Sequence, residues 1–345
     1  MPDTRVTRIV DSLPMPVMVI GPDERVRAAN DAVGVILGPN LVGRHHITAL
    51  RQPSLIAAIA EARRQGTGRT ARFVVRDGPK DVSYRVTVGV ADEEIVLTFE
   101  DQTAAEEVGQ MRRDFVANVS HELRTPLTAL LGFIETLGGA ARDDAAARDR
   151  FLGIMAREAS RMTRLVDDLL SLGRVEEDER VRPRDSVDLA ALLASVIRGL
   201  EPQAAEAKVR VTLDIKAADE KVPGDSGQLV QVFTNLVENA IKYGAAGGEV
   251  TVTLMPRAPS VRLRGDAVAV VVADKGEGIA AHHIARLTER FYRVDNHRSR
   301  AVGGTGLGLA IVKHIINRHR GRLVIESEVG KGTKVTVFLP TGPLS

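Results

Sequence analysis

The sequence predicts a multidomain α+β chain in three successive units, at residues 1–100, 101–178 and 179–345. Three observations support this division. Short strand-like runs separated by turn residues occupy the first unit. Apolar residues then recur at steps of three and four over two long segments. Beyond a charged stretch, helix-like and strand-like runs alternate to the C-terminus, the pattern of an α/β sandwich. With 345 residues and 44% hydrophobic content, the chain can build more than one core.

Composition excludes several classes. Lys+Arg 47 against Asp+Glu 45 gives net +2, which does not suggest a general nucleic-acid surface. With no cysteine there is no disulfide framework, thiol catalysis or cysteine-based zinc site. The longest apolar run, Ala267–Ala273, falls far short of the ~20 residues of a spanning helix. No signal peptide is visible at Met1. The expectation is a soluble, cytoplasmic chain, either complete in that form or continuing an upstream membrane anchor.

In the first unit, Met15–Ile20 and Arg25–Ala28 read as strands around the turn signal Gly21-Pro22-Asp23. Asn30–Leu37 and Ser54–Arg64 read as helices, the second opened by Ser54 after Pro53. Three strands follow, at Ala71–Arg76, Val82–Val90 and Glu94–Glu100. A strand pair, short helices and a three-stranded meander resemble a PAS sensory domain. The resemblance is carried by PVMVIGPDERVRAAND and the closing Phe99-Glu100-Asp101-Gln102-Thr103. His45-His46 is read as a polar loop pair, since neither a second ligand cluster nor a c-type haem motif accompanies it. Aromatic residues are only 3% of the chain, which argues against a flavin-sized aromatic pocket.

Gln102–Asp114 carries helix into the second unit without a Gly-Pro break, so a rotation or tilt can pass along it. The stripe Val108, Met111, Phe115, Val119, Leu123, Leu127, Leu130, Ile134 and Leu137 marks one long amphipathic helix. At about 100° per residue, His121 faces away from Val119 and Leu123. Asp114, Asn118 and Thr125 lie on its side. Pro126 removes a donor and crowds the Glu122 carbonyl, so a kink is expected one turn past the histidine. Gly138-Gly139 ends the helix, and Asp143-Asp144 begins a second with Phe151, Met155, Met162, Leu165, Val166, Leu169 and Leu172 as its stripe. These faces are too extensive for one pair, so two chains should form a homodimeric four-helix bundle.

A lone exposed histidine is most often a solvated side chain. Here SHELRTP resembles the phospho-acceptor box of sensor histidine kinases with His-Glu-x-x-Thr. The resemblance implies a dimerisation and histidine-phosphotransfer (HisKA) domain. His121 would accept the γ-phosphoryl of ATP, Glu122 would take the imidazole proton as general base, and Thr125 would position water for phosphatase action.

Glu176–Asp185 is a charged linker. Leu189–Leu200 then reads as helix, Val209–Ile215 as strand and Ser226–Tyr243 as a long helix. Glu249–Leu254 and Ala267–Ala273 are strands, Leu309–Arg318 a helix, and Arg322–Ser327 with Thr333–Leu339 a hairpin. Asn235, Asn239 and Lys242 stand at i, i+4 and i+7, one face of the long helix. An amide oxygen there suits Mg²⁺, Lys242 can neutralise phosphate, and Tyr243 can pack on a base or ribose. Asp274, closing a buried strand, can accept from an exocyclic amine, while Gly276 and Gly278 permit close backbone approach. Gly303-Gly304-Thr305-Gly306-Leu307-Gly308 opens a helix and offers backbone N–H groups to phosphates. Gly332-Thr333 completes the set.

Each glycine motif alone could be a plain turn. In this order and spacing they resemble the nucleotide boxes of the GHKL ATP-binding (HATPase_c) fold, and Arg290-Phe291-Tyr292-Arg293 resembles its F box. The resemblance implies ATP and Mg²⁺, with Mg²⁺ on Asn239, adenine read by Asp274, and Arg293 in the segment that closes over the nucleotide. Val335 departs from the Phe often found after the last box. ATP hydrolases of the same fold are the rival class. They place a water-activating Glu where this chain has Asn235, which cannot act as a general base. A protein-histidine kinase is therefore expected, with a separate response regulator as phospho-acceptor partner. GQMRRDFVANVSHELRTPLTALLGFIETL and LTERFYRVDNHRSRAVGGTGLGLAIVKHI most resemble the phosphate-regulon sensor kinases. That implies a PhoB-like regulator and phosphate starvation as the cue.

Overall fold

A computed structural model of the chain describes residues 4–78, 80–139, 141–177, 181–217, 220–263, 265–294 and 304–342. The chain divides into two compact units, Met1–Ala117 and Asn118–Ser345. The boundary expected at 178/179 falls outside the described residues, as do Gly303 and part of the charged stretch before Asp185.

The first unit runs α1 (Thr4–Asp11), β1 (Val17–Ile20), β2 (Val26–Ala29), α2 (Asp31–Leu37), α3 (His46–Leu50), α4 (Pro53–Gln65), β3 (Arg69–Asp77), β4 (Lys80–Ala91) and β5 (Glu94–Asp101). The five strands form one antiparallel sheet in the order β2-β1-β5-β4-β3. Period-two alternation sends Val86 and Val88 of β4, and Ile95, Leu97 and Phe99 of β5, into the core beside Leu55 and Ile59 of α4. Asn30 ties the start of this unit together. Its Oδ1 accepts from the Val17 and Val33 amides at 3.1 Å, and its Nδ2 donates to the carbonyls of Val10, Leu13 and Met15.

Two local expectations change here. Helix α4 begins at Pro53 itself, whose missing N–H costs nothing at a first helical position. Ser54 is not its cap. Nor is His45-His46 a polar loop pair. His45 caps α3 by accepting from the Ile47 amide, and His46 opens that helix with 5% exposure.

Helix α5 (Thr103–Gly138) crosses into the second unit, with Pro126 inside it, and α6 (Ala145–Glu177) follows. Then come β6 (Ser186–Asp188), α7 (Leu189–Glu206), β7 (Arg210–Ile215), β8 (Lys221–Pro223) and α8 (Ser226–Gly244). The order continues with β9 (Glu249–Leu254), β10 (Ala258–Ser260), β11 (Gly265–Asp274), α9 (Ala281–Ile284), α10 (Gly308–Arg318), β12 (Arg322–Glu328) and β13 (Gly332–Pro340). The larger sheet is ordered β12-β13-β11-β9-β7, with β10 beside β11. Among the described residues, only β7 and β9 pair in parallel. Helices α7, α8 and α10 pack on it through Leu193, Phe233, Leu236 and Ile311, against Val252, Val270 and Val337. Helix α7 runs past the expected end at Leu200 and accommodates Pro202, because Ala204 is buried in the turn beyond it. Asp188 and Asp225 cap α7 and α8 by accepting from Ala191 and Gln228 amides.

Among the described residues, no helix is long and apolar enough to cross a membrane.

Candidate active site

Helix α8 sorts its residues by azimuth. Leu229, Val232, Phe233, Leu236, Val237 and Ile241 are buried, which turns Asn235, Asn239 and Lys242 together into a cleft of about 600 Å³. Tyr243 stands at its rim, 46% exposed. Asp274, at the end of β11, enters from the sheet. Gly278, Thr333 on β13, and Gly304, Thr305, Gly306 and Gly308 ahead of α10 close other sides, with Tyr292 and Arg293. Gly276 and Leu307 are buried and do not line the cleft.

The Asp274 carboxylate is fixed by its own loop. Its Oδ1 accepts from the Gly276 amide at 2.8 Å and the Thr333 amide at 3.3 Å. Burial pushes the carboxyl above its ordinary range, and those two bonds oppose the rise. Glycine is required at 276, where a Cβ would press on the Tyr243 carbonyl and come within 2.9 Å of Asp274 Oδ1. At Gly306, φ is +74° and the Phe291 amide donates to its carbonyl at 2.8 Å, which holds the 290–293 segment on the glycine run. Arg293 donates to the Gly304 carbonyl in the same place.

The donor set fits a nucleotide. Asn235 Nδ2 is buried in the cleft wall with no hydrogen-bond partner, a costly arrangement that an anionic oxygen would relieve. Glycine amides at the start of α10 suit phosphates. Lys242 is held by Glu238 at 3.1 Å. Glu238 also lines the cleft, where it faces its ammonium partner.

His121 is exposed on α5, and Thr125 one turn later donates to the His121 carbonyl at 3.2 Å. Glu122 is half-buried. Its Oε2 lies 2.8 Å from Arg161 Nη2 on α6 and 3.5 Å from Arg293 Nη2, so one carboxylate bridges the helical pair and the cleft wall.

Sequence reasoning missed the contribution of α6. Arg164, Asp167 and Asp168 line the cleft, and the Thr305 hydroxyl donates to Asp168 Oδ2 at 2.7 Å. Burial raises the Asp168 carboxyl, with the Thr305 bond opposing it. The residues lie 137 positions apart, and no local pattern announces such a pair.

Residues 111–178 match the His Kinase A (phospho-acceptor) domain, and 224–343 match the histidine kinase-, DNA gyrase B- and HSP90-like ATPase. The chain is 41% identical over 255 residues to the phosphate regulon sensor protein PhoR of Pseudomonas aeruginosa, covering 74% of this chain and 56% of PhoR. It is 36% identical over 274 residues to the sensor-like histidine kinase SenX3 of Mycolicibacterium smegmatis, covering 78% and 69%. With the sensor histidine kinase WalK of Bacillus subtilis it shares 36% over 246 residues, which is 71% of this chain and 39% of WalK. The fold resembles histidine kinase ThkA, solved in complex with response regulator protein TrrA, at TM-score 0.54 and 21% identity over 97% of this chain and 98% of that one.

Proposed function

This chain belongs to the sensor histidine kinases of two-component systems, and on that footing we propose that it transfers the γ-phosphoryl group of ATP to His121. A nitrogen of the imidazole attacks the γ-phosphorus, the bond from that phosphorus to the β-phosphate oxygen breaks, and ADP leaves. Glu122 takes the imidazole proton. The observation that carries this reading is the Glu122 bridge. The residue beside the acceptor is paired with Arg293, which lines the nucleotide cleft.

Within the cleft, Asp274 reads the adenine amine and Tyr243 packs on base or ribose. Lys242, Arg293 and the amides of Gly304, Thr305, Gly306 and Gly308 hold phosphate, with Asn235, Gly278 and Thr333 completing the cradle. Gly276 and Leu307 act from behind it, their amides donating to Asp274 Oδ1 and to the Thr305 hydroxyl. Asn239 supplies an oxygen to Mg²⁺. The ion, when bound, neutralises phosphate charge. Phosphoryl transfer depends mainly on such positioning and charge neutralisation.

From His121 the phosphoryl group passes to an aspartate of a separate response regulator, and Thr125 holds the water that later removes it. The likeness to PhoR supports phosphate signalling with a PhoB-like regulator. The likenesses to WalK and SenX3 leave the pathway open, and another two-component pathway, of stress or envelope type, is the competing assignment. We read residues 1–100 as a PAS-like sensory domain on their antiparallel five-stranded sheet with intervening short helices. We read 101–178 as the phosphotransfer domain and 179–345 as the catalytic domain. Leu127, Leu131 and Ile134, each about half exposed on one stripe of α5, favour a homodimer joined through the helical pair.

The test is His121→Gln with γ-phosphate-labelled ATP. Acid-labile, base-stable label should vanish while nucleotide affinity is unchanged. Persistent label would move the acceptor elsewhere.

A further inference from the structure

A second cluster of chemistry-bearing side chains lies in the first unit, apart from the active site. Glu24, His45 and His46 each offer one ligand atom, and these atoms lie within 4.8 Å of one another. We propose that these three residues form a binding site for one divalent transition-metal ion of the zinc class. This inference does not depend on the kinase reading.

The site is built on backbone pairing. Arg25 and His45 form an isolated antiparallel bridge, the His46 amide donates to the Glu24 carbonyl at 3.0 Å, and the Val26 amide donates to Arg44 at 2.9 Å. Glu24 itself takes a left-handed conformation, φ +63°, at the turn between β1 and β2, which directs it toward the histidines. Two segments distant in sequence are thus locked in register, so the ligands are positioned by main chain rather than by flexible side chains alone.

The protons are also arranged for coordination. His46 Nδ1 lies 3.0 Å from the Glu24 carbonyl, which can only accept, so the neutral ring carries its proton on Nδ1 and leaves the Nε2 lone pair available. A backbone carbonyl in that role is the usual outer partner of a metal-binding imidazole. His45 stacks on His46 with centroids 4.9 Å apart. Its Nε2 lies 3.0 Å from Glu24 Oε2, and its Nδ1 accepts from the Ile47 amide at 3.4 Å. An ion between that imidazole and the carboxylate takes the place of the bridging proton. The His45 proton then moves to Nδ1, and the long Ile47 cap is given up.

Two imidazoles and one carboxylate form a set that suits zinc, with a fourth position left for water or an outside ligand. Tetrahedral ligands at zinc distances stand roughly 3.3 Å apart, so the site would close slightly on binding. Arg25, next to Glu24 in the chain, donates from Nη1 to the Gly43 carbonyl at 2.8 Å.

The experiment is a zinc titration of the chelator-stripped full chain by calorimetry, without nucleotide. Wild type should bind one zinc ion per chain. His45→Ala and Glu24→Gln should each weaken binding at least ten-fold. Glu24 and His45 are 51% and 37% exposed at their side chains, and unchanged circular dichroism and melting will verify that both variants fold. The control is His282→Ala, because His282 and His283 also form an adjacent pair, with ring centroids 3.9 Å apart and the planes tilted by 45°, in the second unit. That variant should bind like wild type. No binding by wild type, equal binding by Glu24→Gln and His45→Ala, or loss only in His282→Ala would each overturn the proposal.

Discussion

The face of α5 that carries His121, the proposed acceptor, and the proposed nucleotide cleft lie in one unit but are built in opposite ways. Around His121, neighbours in sequence are neighbours in space: Glu122 is the next residue, and Thr125 bonds the His121 carbonyl one turn on. The cleft is assembled from α6, α8, the end of β11, the glycine run before α10, and β13. The acceptor's chemistry is therefore local and its surroundings tolerant. The cleft's chemistry rests on segments that must all arrive together, so a change there should disturb binding and folding at once. The two are joined where Glu122 meets Arg293, while Asp168 and Thr305 close the cleft itself from the α6 side.

The largest effect on the cleft is expected from Asp274→Ala. It removes the proposed adenine acceptor and leaves the Gly276 and Thr333 amides without their carboxylate. Losing a hydrogen bond to a charged group costs about 1.5–3 kcal/mol, roughly ten- to a hundred-fold in nucleotide affinity. A fluorescent-nucleotide titration measures it, and unchanged affinity would remove Asp274 from the site. The pH dependence has a definite sign. The carboxylate is the form that accepts from an amine, and burial raises its pKa. Affinity is then complete above the raised value and falls as pH drops through it, earlier than for an ordinary aspartate. On folding the sign is reversed: the folded state holds this proton more tightly, so its contribution to stability falls as pH rises between the ordinary and the raised value.

Next is Gly276→Ala, which tests whether the cleft's dependence on several segments is real. The added Cβ meets the Tyr243 carbonyl and Asp274 Oδ1, so α8 and the β11 end must separate. Overpacking of this kind costs about 1–3 kcal/mol. Thermal unfolding should show a lowered midpoint together with weakened nucleotide binding. A variant that binds normally at an unchanged midpoint would mean the two segments yield independently.

The same contrast explains what could be read in advance. Strands such as Glu94–Glu100 and Val209–Ile215, and helix α8, announce themselves through alternation or three-four spacing, and the structure differs by a residue or so at their ends. The face shared by Asn235, Asn239 and Lys242 follows from helix period alone. Pairings across long separations leave no such trace. Nothing near Asp168 points to Thr305, and nothing near His45 points to Glu24, whose approach depends on a left-handed turn and an isolated bridge. The short helix α3 was not foreseen either, since five residues give periodicity too little room.

A smaller effect is expected where α6 closes the cleft. Asp168→Ala removes the acceptor of the Thr305 hydroxyl but also removes a buried carboxyl that is costly to ionise. The two changes oppose each other, and a hydrogen bond of this kind is worth about 0.5–1.5 kcal/mol net. Nucleotide affinity should therefore change only a few-fold, with a larger difference above the raised pKa of Asp168, where the carboxyl is ionised, than below it. A hundred-fold loss in the same titration would show that α6 contributes to the cleft as strongly as β11 does.

The smallest effect on the forward reaction is expected at Thr125. Its hydroxyl is exposed and donates to its own helix, so Thr125→Ala leaves the apolar stripe untouched and improves helix propensity. Autophosphorylation and transfer to the regulator should stay within a few-fold of wild type, about 1 kcal/mol or less. Removal of the phosphoryl group from the regulator should behave differently. In the present geometry the hydroxyl proton is given to the His121 carbonyl, which leaves the oxygen's lone pairs to accept from a water placed beside His121 on the same face. Alanine cannot hold that water, so regulator-phosphate decay in the presence of ADP and Mg²⁺ should slow strongly while the kinase limb is preserved. Equal decay for wild type and variant would mean that Thr125 is a helix residue only. The acceptor face would then serve one reaction, and the local construction around His121 would explain phosphorylation without explaining its reversal.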